Sequence, residues 1–180
     1  MTHSQLQDLK YPIGQFETPE VITNDHIVDW INDIKALPQG VIDLVEHLSN
    51  SELNYPYRPE GWTIQQVVHH LADSHMNSII RFKLAITEDS PTIRPYFEDR
   101  WATLKDYDQP IDSSLSILNG VHEKLGVLLS SFSEEELARE FIHPEHGKRF
   151  SLKETIGMYA WHSNHHLAHI RQALTYKGEF

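Results

Sequence analysis

At 180 residues, with 39% apolar and 23% charged side chains, the chain has the size of one domain, expected over residues 1–180, and is too apolar for disorder. A formal net charge of -11 opposes binding to a phosphate backbone or an anionic membrane, and no run of Lys and Arg supplies a local exception. The absence of cysteine removes disulfides, thiolate ligands and a thiol nucleophile.

The opening residues lack the apolar core of a signal peptide and no stretch approaches a membrane span, so the expected location is cytoplasmic, with no membrane and no nucleic-acid partner. Residues 1–22, with Pro12, Gly14 and Pro19, are expected to form an extended arm packed on the body. Thr23 or Asn24 caps a first helix whose Ile27, Trp30, Ile31 and Ile34 define one apolar face. Pro38 lacks an amide hydrogen and is expected to break or kink that helix before the pattern resumes through Val41, Leu44, Val45 and Leu48.

Residues 50–62 are expected to form a loop. Thr63 with Gln66 forms a capping box, from which a second helix runs to about Ile86. The proline-bearing stretch 88–111 predicts a long irregular connection with a helical turn or two near Arg100 to Lys105; connections of this length are often functional lids. Asp112 or Ser113 caps a third helix carrying Leu115, Leu118, Val121, Leu125, Leu128 and Leu129. Ser133 and Glu136 box a short helix, and 141–150 has the composition of a turn or small hairpin. Ser151 and Glu154 open a fourth long helix that ends near Lys177 and Gly178. The pattern predicts an all-α four-helix bundle with short extra helices and an N-terminal arm.

Histidine is the unusual component. There are 13, and seven fall in two windows, at 69, 70 and 75 and at 162, 165, 166 and 169. Neutral imidazole suits zinc and its neighbours, and His-x-x-x-His puts two rings on one helix face. The last helix has two such pairs. Ile156, Tyr159, His162, His166, Ile170 and Ala173 recur at spacings of three and four, which turns His162 and His166 inward. His165 sits beside that stripe, and His169 is near enough to support a ligand or replace one. On the second helix His70 shares a face with Val67, Leu71 and Ser74, whereas His69 is turned by about 100°. Three histidines from two helices leave a coordination position open, a catalytic arrangement in which a metal activates water. Asp73 is a candidate to orient a ligand ring. His3, His26, His47, His122, His143 and His146 are expected to be ordinary surface or loop residues. Arg94, Tyr96, Arg100 and Trp101 either wall the pocket or anchor the long connection to the body.

The segments GWTIQQVVHHLADSHMNSIIRFKL at 61–84, TIRPYFEDRW at 92–101 and YAWHSNHHLAHI at 159–170 resemble the DinB-like superfamily. The resemblance is closer to its YfiT branch of metal-dependent hydrolases, with YPIG at 11–14 and YPYRPEGWT at 55–63 extending it over nearly the whole chain. It implies a four-helix bundle with a divalent metal, zinc first and nickel second, on His70, His162 and His166. Asn164 stands where a further His can occur, at a position that is not a ligand. The resemblance also implies a homodimer, with Tyr11, Ile13 and Phe16 as the only sequence support. Those residues can equally cover their own bundle. The activity implied is metal-dependent hydrolysis of a small-molecule substrate. The alternatives are a metal-dependent transferase of low-molecular-weight thiols such as bacillithiol or glutathione, and a non-catalytic metal-stabilised binding bundle. Catalytic residues other than the ligands are unknown.

Overall fold

The computed structural model describes residues 2–145 and 147–180; His146, expected in a loop or on the surface, lies outside them. Helix α1 (His3–Lys10) opens the arm, so the segment expected to be extended throughout is helical over its first half. Two further helices carry the capping boxes read from sequence, α4 (Ile64–Thr87) behind Thr63 and α8 (Leu152–Tyr176) behind Ser151, and α2 (Asn24–Val45) starts behind Thr23, one of its two candidate caps, with His26 completing a box. Each box satisfies amide donors that the first helical turn leaves orphaned. A one-turn helix, α3 (Asn50–Leu53), interrupts the expected loop. Helix α5 (Glu98–Trp101) and a 3-10 turn at Lys105–Asp108 punctuate the long connection. Helix α6 (Asp112–Ser130) starts from Ile111 with no side-chain cap, so neither Asp112 nor Ser113 has the role expected of it. After α7 (Glu134–Leu137), strands β1 (Glu140–His143) and β2 (Lys148–Ser151) pair antiparallel, with Phe141 opposite Phe150.

The four long helices form the bundle. Helix α2 packs on α8 and α6, and α4 packs on the same two helices from the other side. Consecutive long helices α2 and α4 therefore lie across the bundle from one another. Two apolar clusters fill it. One joins Leu37, Val41, Val68, Leu71, Leu118 and Ile170, the other Ile31, Ile34, Phe82, Leu125, Ile156 and Tyr159. Between them lies a polar layer that includes Ser74, His75, Ser78, His122 and Ser163, all buried. The histidine site opens from this layer.

Helix α2 runs unbroken through Pro38, so the break expected as one of the two outcomes is absent. Proline removes the amide that would bond the carbonyl four residues back, here that of Ile34. His122 on α6 replaces it, with Nδ1 donating to the Ile34 carbonyl oxygen at 2.6 Å. An orphaned buried carbonyl is the main cost of a mid-helix proline, and the imidazole removes it. His122 is thus a buried core residue, 3% exposed, and not the surface residue expected.

The arm lies along α8. Trp161 Nε1 donates to the Gly14 carbonyl at 3.1 Å, and Gln172 donates to that of Leu9 at 2.8 Å. Phe16 packs edge-on against Trp30 of its own bundle. Both rings meet α8 at Gly157, where a Cβ would come within 2.9 Å of Trp30 and 3.0 Å of Phe16. Of the three apolar arm residues, Ile13 remains exposed. Among the described residues no helix is long and apolar enough to cross a membrane.

Candidate metal centre

Helix geometry turns the sequence pattern into a site. His70 on α4 and His162 and His166 on α8 place one nitrogen each within 4.8 Å of one another. The Nε2 atoms of His70 and His162 are 3.3 Å apart. Two nitrogens bound roughly 2.0–2.1 Å from one tetrahedral ion are separated by about 3.3–3.4 Å, so this spacing fits a shared metal. His70 and His166 are buried and His162 partly so. Burial holds the His70 imidazole at a pKa of about 4, with positive charge on His165 adding to the effect. It drives His162 and His166 well below the ordinary histidine range, helped by repulsion from the other rings. All three are therefore neutral at physiological pH, the form that offers a lone pair.

Neighbouring rings decide which nitrogen is free. His169 Nε2 faces the Lys10 carbonyl at 3.1 Å, and a carbonyl can only accept, so that nitrogen carries the hydrogen. His169 Nδ1 is then an acceptor, 3.4 Å from His166 Nδ1, which donates to it. The Nε2 lone pair of His166 is left facing the other two rings. On His162, Nδ1 lies 3.3 Å from His75 Nε2, which again frees Nε2 for the cluster. His75 in turn stacks on His122, ring centroids 4.7 Å apart. Of the two roles open to His169, the structure gives it that of a support. Asp73 does not orient a ligand: its carboxylate accepts from the Tyr107 hydroxyl at 2.7 Å. His75 occupies the place suggested for it. The i, i+5 spacing from His70 carried no hint of this, because His75 reaches His162 across the helix interface.

The remaining histidines of the two windows, His69 and His165, make other contacts. His69 is buried toward α6, bonding Ser114 Oγ at 2.8 Å and the Gln109 carbonyl at 3.0 Å. His165 stacks on Trp161 with centroids 4.5 Å apart. The three clustered rings open into a cavity of about 520 Å³, in the range of small-molecule sites. Trp62, Tyr96, Phe141, Phe150, Met158 and Tyr159 supply much of its wall. The long connection and the hairpin form its rim together, because Ile93 and Ile142 exchange backbone bonds with Ile142 and Pro91 at 3.0 and 2.9 Å. Of the four loop residues picked out from sequence, Tyr96 lines the cavity and Trp101 packs behind it at 4.5 Å. Arg94 and Arg100 are exposed, and Arg100 lies over Phe97. His143, expected to be ordinary, also lines the cavity.

The sequence model of the DinB superfamily matches residues 34–170. The chain belongs to the DinB superfamily. Among its DinB relatives, a protein of Oceanobacillus iheyensis named a putative metal-dependent hydrolase is 51% identical over 161 residues, spanning 89% of this chain and 93% of the relative. One of Bacillus cereus strain B4264 with the same description is 49% identical over 165 residues, spanning 92% and 95%. The solved structure of YfiT from Bacillus subtilis, described as a probable metal-dependent hydrolase with an unusual four-helix bundle topology, superposes with a TM-score of 0.91. It is 42% identical and the match covers 95% of this chain and 98% of YfiT. A mycothiol-dependent maleylpyruvate isomerase shares the fold at a TM-score of 0.60 and 16% identity, covering 80% of this chain and 63% of its own.

Proposed function

We propose that this DinB protein is a metal-dependent hydrolase of a small-molecule ester or amide, with one divalent ion held by Nε2 of His70, His162 and His166. Zinc is the expected ion and nickel the alternative, since imidazole donors suit both. The observation that carries the reading is the convergence of three neutral imidazoles, within 4.8 Å of one another, on a cavity of ligand size. Three nitrogens leave a position open, as catalytic sites do. When bound, such an ion supplies a Lewis acid for a carbonyl and a water that ionises near neutral pH.

The chain's own residues supply the rest. His169 and His75 hold the two α8 rings in orientation. Trp62, Phe141 and Phe150 displace water from around the substrate. Burial raises the phenol pKa of Tyr96 and Tyr159, so both stay protonated and can donate to a substrate oxygen. The descriptions of relatives at 49–51% identity support the same reading.

Tagless protein is expected to carry one divalent ion per chain, lost in His70→Ala, His162→Ala or His166→Ala and kept in His69→Ala. A screen of esters and amides, with and without low-molecular-weight thiols, is expected to find thiol-independent turnover that chelation removes and metal restores. Protein lacking stoichiometric metal, or turnover that requires a thiol, overturns the hydrolase reading.

A further inference from the structure

Beyond the histidines, the cavity wall holds a partly buried cation, Arg81, with no counter-ion among the described residues. Arg81 lies on α4 eleven residues after His70, and Ser74 lies between them on the same side of the helix. Arg81 donates from a terminal nitrogen to the Tyr159 hydroxyl at 3.1 Å. Its Nε is buried without a hydrogen-bond partner. Among the described residues it forms no ion pair, although the chain has 26 acidic side chains. A partly buried guanidinium with unused donors is costly unless something accepts from it. Its neighbours in the wall are donors too. Ser74 is buried between the phenols of Tyr96 and Tyr159, within bonding reach of both. The carboxylates that line the cavity, Glu98 and Glu145, are exposed, as is Lys10.

The donors share the two helices that carry the metal ligands. On α8, Tyr159 precedes His162 by three residues, one turn toward the end where Arg81 sits. One molecule can therefore meet the histidine cluster at one end and Arg81 at the other.

We propose that Arg81, with the hydroxyls of Tyr159, Tyr96 and Ser74, binds a carboxylate on the substrate at a point removed from the bond cleaved. This rests on the hydrolase reading for the cavity's use and adds the substrate class, a small acyl compound bearing a free carboxylate. One guanidinium and neutral hydroxyls match a planar monoanion through the fork of Arg donors. A phosphate dianion fits less well, since the acidic rim opposes a second negative charge.

The test uses binding, so that it does not depend on turnover. Affinities of 3-phenylpropionate and the neutral 3-phenylpropionamide are measured by calorimetry on zinc-loaded wild type, Arg81→Gln and Arg81→Lys. Wild type is expected to prefer the carboxylate by about tenfold or more, the scale of one charge-assisted bond. Arg81→Gln is expected to lose most of that preference and Arg81→Lys to keep part of it, while the amide binds all three alike. The ratio within each protein cancels differences in folding or metal content. No preference in wild type overturns the proposal, and so does a preference that survives Arg81→Gln, since the anion is then held by the metal alone. If Arg81→Gln does not fold, the wild-type ratio decides after chelation: a preference that persists supports the proposal and one that vanishes overturns it. An Arg81-dependent preference in a protein that cleaves no ester or amide leaves the carboxylate site standing and removes the hydrolase reading.

Discussion

At the scale of the residue, the candidate site separates histidines that look alike in sequence by what their second nitrogen touches. His69 and His70 are adjacent and both buried, yet His69 spends both nitrogens on Ser114 and Gln109, while His70 turns Nε2 to the cluster. On α8, His165 and His169 are both buried beside His166, but of the two it is His169 that hydrogen-bonds it. His169→Ala is therefore expected to weaken metal binding by roughly 10–100-fold, the usual effect of removing a ligand's supporting partner. His165→Ala is expected to change it little. Competition against a chromophoric chelator measures both, and equal affinities would show that the bond from His166 to His169 does not orient the ligand. The stripe of threes and fours made the three candidate ligands legible in sequence. The supports were not legible, because the Lys10 carbonyl lies 159 residues from His169 and has no side-chain signature.

At the scale of the element, α2 shows why local rules misjudged one helix and succeeded with the others. Capping boxes at Thr63 and Ser151 involve residues three apart, so sequence alone reveals them. Proline at 38 is equally local as a helix breaker, but its remedy is an imidazole 88 residues away from Ile34. The pairing makes a double-variant prediction. His122→Phe leaves the Ile34 carbonyl buried and unpaired, and is expected to lower stability by about 1–3 kcal/mol. Pro38→Ala restores the amide that reaches that carbonyl, so in the double variant the loss from His122→Phe is expected to shrink by about 1 kcal/mol or more. Denaturant melts of the four proteins measure the coupling. Additive effects would mean that His122 does not compensate for Pro38.

At the scale of the whole molecule, the polar layer between the two apolar clusters links stability to protonation. Period and capping made four long helices legible. Their diagonal order and the burial of His75 and His122 in that layer arise from packing between distant segments, which local patterns do not encode. Burial holds His70, His122 and His165 at pKa values of about 4 and His169 at about 3, while His75, His162 and His166 lie well below the ordinary range. In the unfolded chain these groups titrate near about pH 6.5. The neutral form is favoured in the fold, so between those limits the unfolded state binds more protons, and stability rises with pH. The contribution is therefore complete above about pH 6.5, and is lost progressively as pH falls toward about 4 and below. A metal that binds only the folded chain adds stability by mass action, and it competes with protons for the same lone pairs. Melting temperature is thus expected to be nearly flat from pH 8 to 7 and to fall steeply below about pH 6.5, with metal release in the same range. Chelation at pH 7.5 is expected to lower it and added zinc to restore it, while the acid-side fall persists in the chelated protein because His122 and His165 still have to charge. Melting curves across pH, with and without chelator, measure both parts. A melting temperature unchanged from pH 7.5 to 5 rules out the histidine layer as the cause of acid sensitivity, and one unmoved by proven metal removal shows that the ion does not join α4 to α8.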